Sequence, residues 1–155
     1  KKVKAYFQKG GYKLLVTTGG RIRTGSFVSP HETWAELALS SLNQLGVPQK
    51  KIIAVPGLLN IKKDRTYHAA LAVKKRLSLE GLNGTSIDIV SLGTHARRSW
   101  FLFEDVFSTV NVGVISISPN DYDVSRWWFF SEGVRSVVSE SIAYFYARFI
   151  FSSST

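Results

Sequence analysis

The amino-acid sequence predicts an α/β fold in which helices cover both faces of a mainly parallel sheet, within one domain spanning residues 1–155. The length of 155 residues suits a single domain, and 45% hydrophobic with 20% charged residues is typical of globular proteins. Four short hydrophobic runs rich in β-branched residues alternate with segments of helical periodicity. Strands that alternate with helices form βαβ crossovers, which make neighbouring strands parallel.

The four hydrophobic runs are the predicted strands. Each has the length of a typical strand, and most are almost continuously apolar rather than alternating. This pattern is typical of strands that are buried on both faces of a sheet. The predicted strands are residues 14–17, 51–55, 87–91 and 112–117.

The first predicted helix, residues 3–8, ends at Gly10 and Gly11 and has no strand before it. A doubly wound domain normally begins with its central strand, so we expect that first strand to be missing from this chain and to lie upstream of Lys1.

Four further helices are predicted, and each carries its apolar residues on one stripe. Ser29 and Glu32 have the spacing of a capping box at the start of the first of them. In chain order, the helices and their stripes are 32–45 (Trp34, Leu37, Ala38, Leu42), 66–79 (Ala70, Val73, Leu77), 95–107 (Trp100, Phe103, Phe107) and 133–149 (Val134, Val138, Ile142, Phe145, Phe149).

Composition excludes several classes of site. The chain has no cysteine, and therefore no disulfide framework, thiolate nucleophile or cysteine-ligated metal. No apolar run reaches the ~20 residues of a transmembrane helix. The formal net charge of +9 suggests nucleic acid or an anionic membrane surface as a partner, although scattered lysines favour a solvated basic surface. A Walker loop, a nucleophile elbow and a GxGxxG fingerprint are all absent, which disfavours nucleotide hydrolases and dinucleotide dehydrogenases.

Polar and glycine residues follow each predicted strand. Ligands of open parallel sheets bind outside the carboxyl ends of the strands, so we predict the site at that edge. Thr18, Gly19 and Gly20 follow the first strand. The two glycines either let backbone N–H groups approach an anion or form a plain turn.

The segment after the third strand has the strongest anion signal. Thr94 is a natural N-cap, which puts His95, Arg97 and Arg98 in the first helical turn. Cations there oppose the helix dipole, and a bound phosphate or carboxylate would satisfy both the free N–H groups and the arginines. Alternatively, the arginines turn to surface carboxylates such as Glu104 or Asp105.

Two residues are candidates for acid–base chemistry. His95 is a general acid or base, or else a structural histidine, and Glu32 is a capping carboxylate or an acid facing the pocket. His31 and His68 have no metal-ligand spacing with His95, so no metal site is predicted. The aromatic residues 127–130 serve packing or form a stacking platform.

Several blocks together resemble the YdcF-like domain-of-unknown-function family, which includes the SanA and ElyC envelope proteins of bacteria. The resemblance covers nearly the whole chain. The blocks that carry it are, in order, Leu15-Val16-Thr17-Thr18-Gly19-Gly20, the Glu32 helix leading to Leu45-Gly46-Val47-Pro48, Asp64-Arg65-Thr66, Ser91-Leu92-Gly93-Thr94-His95-Ala96-Arg97-Arg98-Ser99, and Tyr122-Asp123 with Arg126-Trp127-Trp128.

The resemblance implies a Rossmann-like three-layer sandwich with a pocket built from these blocks. Thr66 matches a threonine that opens a helix in the family, and His95 with Arg98 matches its histidine–arginine motif. Gly19 and Gly20 match its glycine pair, and Glu32 its acidic helix-start residue. His68 and Ala69 depart from the family, because glutamate and asparagine are common at those positions. Family members are associated with the cell envelope and with peptidoglycan or lipid-carrier metabolism, and S-adenosylmethionine binding is proposed for some.

The expected function is that of a bacterial pocket protein binding a phosphate-bearing or nucleotide-like small molecule in cell-envelope metabolism, with catalysis left open. The alternative is a non-enzymatic scaffold or binding domain at the inner membrane, using the positive surface and residues 127–130. Nucleic-acid binding rests on net charge alone, and the expected location is cytoplasmic or at the inner membrane. The predicted catalytic residues are His95 and Glu32, and the predicted ligand-binding residues are Thr18, Gly19, Gly20, Thr66, Thr94, Arg97 and Arg98.

Overall fold

Helices and parallel strands alternate along the chain, as predicted, in a computed structural model that describes residues 1–23, 26–57, 63–82 and 86–151. The chain forms two compact units, residues 1–83 and residues 84–155, each with its own two-stranded sheet. The elements are α1 (Lys2–Lys9), β1 (Leu15–Gly19), α2 (Trp34–Gln44), β2 (Ile52–Pro56), α3 (Arg65–Leu79), β3 (Ile87–Leu92), α4 (His95–Val106), β4 (Val112–Ile117) and α5 (Ser131–Phe145).

In residues 1–83, β1 and β2 form a parallel pair that α2 connects. The register runs from Leu15 opposite Ile52 to Gly19 opposite Pro56. The buried Thr17 hydroxyl donates to the carbonyl oxygen of Ala35 at 2.8 Å and so attaches β1 to the first turn of α2. All four predicted strands are confirmed to within a few residues, because runs of β-branched residues favour extended backbone through their local composition.

The apolar core at the amino-terminal ends of β1 and β2 also holds α1. Phe7 of α1 is buried against Leu42, Val47 and Ile52. The Lys4 ammonium donates to the carbonyl oxygen of Leu45, at the end of α2, at 2.7 Å. A cation is favourable there because the last carbonyls of a helix carry partial negative charge.

In residues 84–155, β3 and β4 form a second parallel pair, joined by α4. The register runs from Ile87 opposite Val112 to Leu92 opposite Ile117. Buried Leu102 and Phe103 lie on α4, which packs on both strands. The Trp100 indole N–H donates to the carbonyl oxygen of Val112 at 2.9 Å.

The prediction that the strands are buried on both faces is wrong for β3 and β4. Side chains along β3 alternate between half-buried and exposed, and Leu92 is 57% exposed. In this two-stranded sheet α4 packs on both strands, while α5 packs on α4 and on the segment before it. The mixed α/β class is confirmed, and the organisation of the whole chain as one domain stays a prediction.

The apolar stripe predicted for residues 133–149 lies on α5 and on the helical turn Tyr146–Ile150 that follows it, and it faces away from the residues that α5 contacts. Val138, Ile142 and Phe149 are exposed, as are Val134 and Phe145. Three features fix this orientation: polar contacts from α5 to α4, the buried Ala147, and the buried Gly133, which approaches the backbone of Trp127 too closely for a side chain.

The capping box lies one turn later than predicted. The Thr33 hydroxyl accepts from the N–H of Glu36 at 3.2 Å, and the Glu36 carboxylate accepts from the N–H of Thr33 at 3.0 Å. Ser29 instead closes a local turn by accepting from the N–H of His31. Because α2 therefore begins at Trp34, this tryptophan is 53% exposed rather than part of the buried stripe, and Ala35 is buried.

Candidate functional site

The carboxyl ends of β1 and β2 meet at a segment that we call the glycine edge, consisting of Thr18, Gly19, Gly20 and Gly57. The N–H of Gly57 donates to the carbonyl oxygen of Gly19 at 3.2 Å, so the two strand ends stay paired beyond β2. The Thr18 side chain is exposed and Gly57 is buried. This is the edge at which parallel sheets accept ligands.

The two glycines of this edge have different roles. A Cβ on Gly19 would lie 2.6 Å from the Cβ of Trp34, so glycine is needed for β1 to pack against α2. Among the described residues a Cβ on Gly20 would meet nothing within 4 Å, and Gly20 is absent from the glycines with positive φ. Neither packing nor backbone geometry therefore requires glycine at position 20. No described side chain or backbone fills the side of Gly20 on which a ligand could approach.

The start of α2 is held against the glycine edge. The N–H of Trp34 donates to the carbonyl oxygen of Gly20 at 3.0 Å, and the N–H of Ile22 donates to the carbonyl oxygen of Glu32 at 2.9 Å. Arg21 forms an isolated antiparallel bridge with Thr33. Arg21 is exposed, and within the described ranges it makes no ion pair. It is thus a cation next to the glycine edge that sequence analysis did not single out.

Glu36 neutralises the amino terminus of α2. Its carboxylate accepts from the N–H groups of Glu32 and Thr33, each at 3.0 Å. The hydrogen bond from the Thr33 backbone is the largest of the influences that lower the pKa of Glu36, and it outweighs the opposing effect of burial. The predicted capping role of Glu32 is therefore wrong. Its side chain is exposed one residue before the cap.

Thr66 lies in the first turn of α3, which follows β2 and packs on β1 and β2. The residue before this helix, Asp64, has left-handed backbone geometry with a φ of 52° and makes no side-chain cap. Thr66 is half-buried.

A polar cluster joins α4 to α5 in residues 84–155; we call it the α4–α5 cluster, and it consists of Thr94, His95, Arg98, Ser136 and Glu140. Arg98 donates to both carboxylate oxygens of Glu140, from Nε at 2.8 Å and from Nη2 at 3.0 Å. His95 Nδ1 lies 3.2 Å from Oε2 of Glu140 and 3.0 Å from Nη2 of Arg98. Thr94 and Ser136 are joined by a hydroxyl contact of 3.1 Å.

Contacts within the cluster change what its predicted members can do. Thr94 occupies the predicted N-cap position of α4, but its hydroxyl contacts Ser136 and makes no side-chain cap. Arg98 is paired with Glu140 rather than with the surface carboxylates Glu104 or Asp105. The guanidinium of Arg97 lies over the ring of Tyr144, 5.1 Å from its centroid.

Glu140 is the residue that sequence analysis missed. It lies on the same helix as Ser136, four residues after it, and this spacing of polar residues on one helix face is the signal that could have found it. Burial acts to raise the pKa of Glu140, but hydrogen bonds from His95 and Arg98 together with their positive charge lower it to about 2. The carboxylate is thus ionised at neutral pH and holds the arginine in place.

The cluster leaves one ring nitrogen of His95 available. Nδ1 is engaged, while Nε2 has no partner among the described residues, and the side chain is 38% exposed. A carboxylate that orients an imidazole through Nδ1 leaves Nε2 to exchange protons with a bound molecule.

The predicted site residues fall into two groups. Thr18, Gly19, Gly20, Glu32 and Thr66 belong to residues 1–83, whereas Thr94, His95, Arg97 and Arg98 belong to residues 84–155. In the part of the chain that the structure describes, no group of three or more histidine, aspartate and glutamate side chains could hold a metal ion. None of the described helices combines the length and apolarity needed to cross a membrane.

Comparison with protein-family models, with curated proteins and with solved structures finds no significant match to this chain.

Proposed function

We propose that this chain binds a phosphate-bearing or nucleotide-like small molecule at the glycine edge. The observation that carries the proposal is Gly20, whose backbone is open on the side where a Cβ would stand. Unhindered backbone at the carboxyl edge of a parallel strand pair is what an incoming phosphate needs to reach N–H groups. Thr18 and Arg21 supply a hydroxyl and a cation on either side of the two glycines.

Charge supports an anionic ligand. Residues 1–83 contain 15 of the 20 lysines and arginines but only 4 of the 11 acidic residues, a formal charge of +11. Such a field raises the local concentration of anions and speeds their association. Arg97 stacks over the ring of Tyr144, and Arg98 forms an ion pair with Glu140. We therefore assign the cationic part of the site to Arg21 instead.

The fold and the biological setting follow from the same proposal. Both strand pairs are parallel and joined by a helix, as in the βαβ units of Rossmann-like three-layer sandwiches, the class that we propose for the chain. The resemblance to the YdcF-like family would set the ligand in bacterial cell-envelope metabolism. Suitable probes are therefore nucleotides, sugar nucleotides, polyprenyl phosphate analogues and S-adenosylmethionine.

A thermal-shift screen of this chain with those probes tests the proposal. A ligand at about 100 times its dissociation constant stabilises the folded state by about 2.7 kcal/mol, which raises the melting temperature measurably. We expect Gly20→Ala to keep the melting temperature of the free protein and to abolish the ligand-induced shift, because its methyl group would occupy the open space.

Two variants control this test. Gly19→Ala should lower the melting temperature of the free protein, because its Cβ collides with Trp34. Lys75→Gln removes one positive charge near the far end of α3 and should retain the ligand shift. A screen without any shift, or a shift that Gly20→Ala leaves unchanged, contradicts the proposal.

A further inference from the structure

Lysines gather at the amino-terminal ends of β1 and β2, the ends opposite to the glycine edge. We call this surface the lysine face. Its members are Lys1, Lys2, Lys4, Lys9, Lys13, Lys50 and Lys51.

Packing brings these lysines to one end of the strand pair. Lys13 precedes β1 by two residues, and the turn of Lys50 and Lys51 leads directly into β2. The first residues of the two strands, Leu15 and Ile52, are register partners, so the segments before them are neighbours. The helix α1 lies at the same end, because Phe7 is buried against Val47 and Ile52 and Lys4 binds the end of α2.

Acidic residues do not balance this face. Glu32 and Glu36 lie at the start of α2, at the carboxyl ends of the strands, and Asp64 lies at the start of α3. Glu80, at the end of α3, is held by Arg76 at 2.7 Å. Within the described ranges Lys9, Lys13, Lys50 and Lys51 are exposed and make no ion pair.

We propose that the lysine face docks this protein onto an anionic lipid surface. Clusters of four to eight basic residues on or beside an amphipathic helix are attracted to acidic headgroups, each contributing about 1 kcal/mol. Tyr6, which is 45% exposed on α1, adds an amphipathic ring of the kind that favours a membrane interface.

Two features favour lipid over nucleic acid. The lysine face contains no arginine, the residue that forms bidentate contacts with guanine and with phosphate. Tyr6 is its one strongly exposed aromatic ring among the described residues, too few for a stacking platform.

The distribution of charge places the proposed membrane contact on the lysine face rather than at residues 127–130, which the sequence analysis also considered. Residues 127–130 are rich in exposed aromatic side chains, but they belong to residues 84–155, which carry a formal charge of −2. The attraction to acidic headgroups therefore comes from residues 1–83. Because the lysine face and the glycine edge lie at opposite ends of β1 and β2, lipid docking leaves the proposed ligand site open.

Vesicle sedimentation tests this proposal. The full chain is mixed with vesicles of phosphatidylcholine alone or of phosphatidylcholine and phosphatidylglycerol in equal parts. We expect binding to the anionic vesicles only. This binding should weaken as salt rises, because the screening length falls from about 10 Å at 0.1 M to about 3 Å at 1 M.

The variants locate the contact. Replacing Lys13, Lys50 and Lys51 together by glutamine should reduce the partition coefficient on anionic vesicles about a hundredfold, given about a fivefold contribution from each lysine. Replacing Arg23, Lys63 and Arg65 by glutamine removes the same charge from the same unit, away from the lysine face, and should have a much smaller effect. The melting temperatures of both variants check that they fold.

Three outcomes overturn the proposal. The first is equal binding to neutral and anionic vesicles, or no vesicle binding. The second is an equal loss of binding in the two triple variants. The third is binding to duplex DNA or single-stranded RNA that competes with the vesicles at lower concentration and is lost in the lysine variant, which would assign the face to nucleic acid. The ligand shift of the thermal screen is independent of all three.

Discussion

Glu140 contacts two residues that the sequence suggested for a ligand site, His95 and Arg98. The local pattern of α4 correctly put these two side chains in the first helical turn. Their partner lies 42 residues away from Arg98 on another helix, and no periodicity within either segment indicates that pairing. A carboxylate from α5 thus supplies a counter-charge for the cations at the start of α4.

Glu140→Gln should destabilise the folded chain by about 1–2 kcal/mol at pH 7, because it leaves the half-buried Arg98 without its counter-charge. Chemical denaturation of the variant and the parent chain measures this difference. Glu104→Gln, at an exposed carboxylate on α4, is the matched control and should change stability by less than about 0.5 kcal/mol. Equal effects of the two substitutions would contradict the role assigned to Glu140.

The same residue makes stability depend on acid. The pKa of Glu140 falls from 4.5 to about 2 on folding, so its contribution is complete above pH 4.5 and is lost as the pH falls toward 2. The Glu140→Gln variant should therefore have a lower free energy of unfolding than the parent chain at neutral pH. This difference should disappear near pH 2. A difference that stays constant over this range would show that the ion pair does not stabilise the fold.

At the scale of elements, α2 shows how closely a sequence pattern can locate a helix and still misplace its cap. Ser29 with Glu32 and Thr33 with Glu36 both have capping-box spacing. The second pair forms the capping box because the backbone bridge between Thr33 and Arg21 holds this threonine next to the glycine edge. That constraint comes from tertiary structure and is not visible in either four-residue pattern.

Thr33→Ala should reduce the free energy of unfolding by about 1 kcal/mol, the usual effect of removing an N-cap side chain. Ser29→Ala is the natural comparison and should have less effect, since its hydroxyl closes only a local turn outside the helix. Urea denaturation of the two variants distinguishes the two boxes. A larger loss of unfolding free energy in Ser29→Ala than in Thr33→Ala would show that Ser29 and Glu32 form the capping box.

The helix α5 has the apolar periodicity that sequence predicted but the opposite orientation. Periodicity shows that a stripe exists, whereas the surface it faces depends on long-range contacts such as the Arg98–Glu140 pair. Ile142→Gln should change stability by less than about 0.5 kcal/mol, because Ile142 is 66% exposed. Leu102→Ala on α4, where the leucine is 4% exposed, should cost about 2–5 kcal/mol. A comparable loss for both variants in urea denaturation would contradict the outward orientation of α5.

At the scale of the whole molecule, the order of strands and helices was predictable because each depends on local composition and periodicity. The division into two strand pairs was not, because pairing is a long-range choice that strand composition does not encode. For the same reason, the sequence could not separate the two glycines of the glycine edge, of which packing against Trp34 accounts for Gly19.

Charge is distributed unevenly along the chain. The overall +9 separates into +11 for residues 1–83 and −2 for residues 84–155. The net charge of the whole chain suggests a uniformly basic surface. The separate net charges of the two units show instead that electrostatic attraction for anions belongs to residues 1–83. The proposed ligand edge and the lysine face share that unit, at opposite ends of the same two strands.

The hydrogen bond from Trp100 to Val112 gives the second unit an intrinsic optical probe. Trp100 is half-buried, and its indole N–H is bound 2.9 Å from the carbonyl oxygen that opens β4, whereas Trp34 and Trp128 are each more than half exposed. The emission of an indole depends on the polarity and mobility of its surroundings, and a hydrogen-bonded, half-buried indole therefore emits differently from one in water. Separation of α4 from β4 would therefore change the emission of Trp100 while leaving that of Trp34 in the first unit nearly constant.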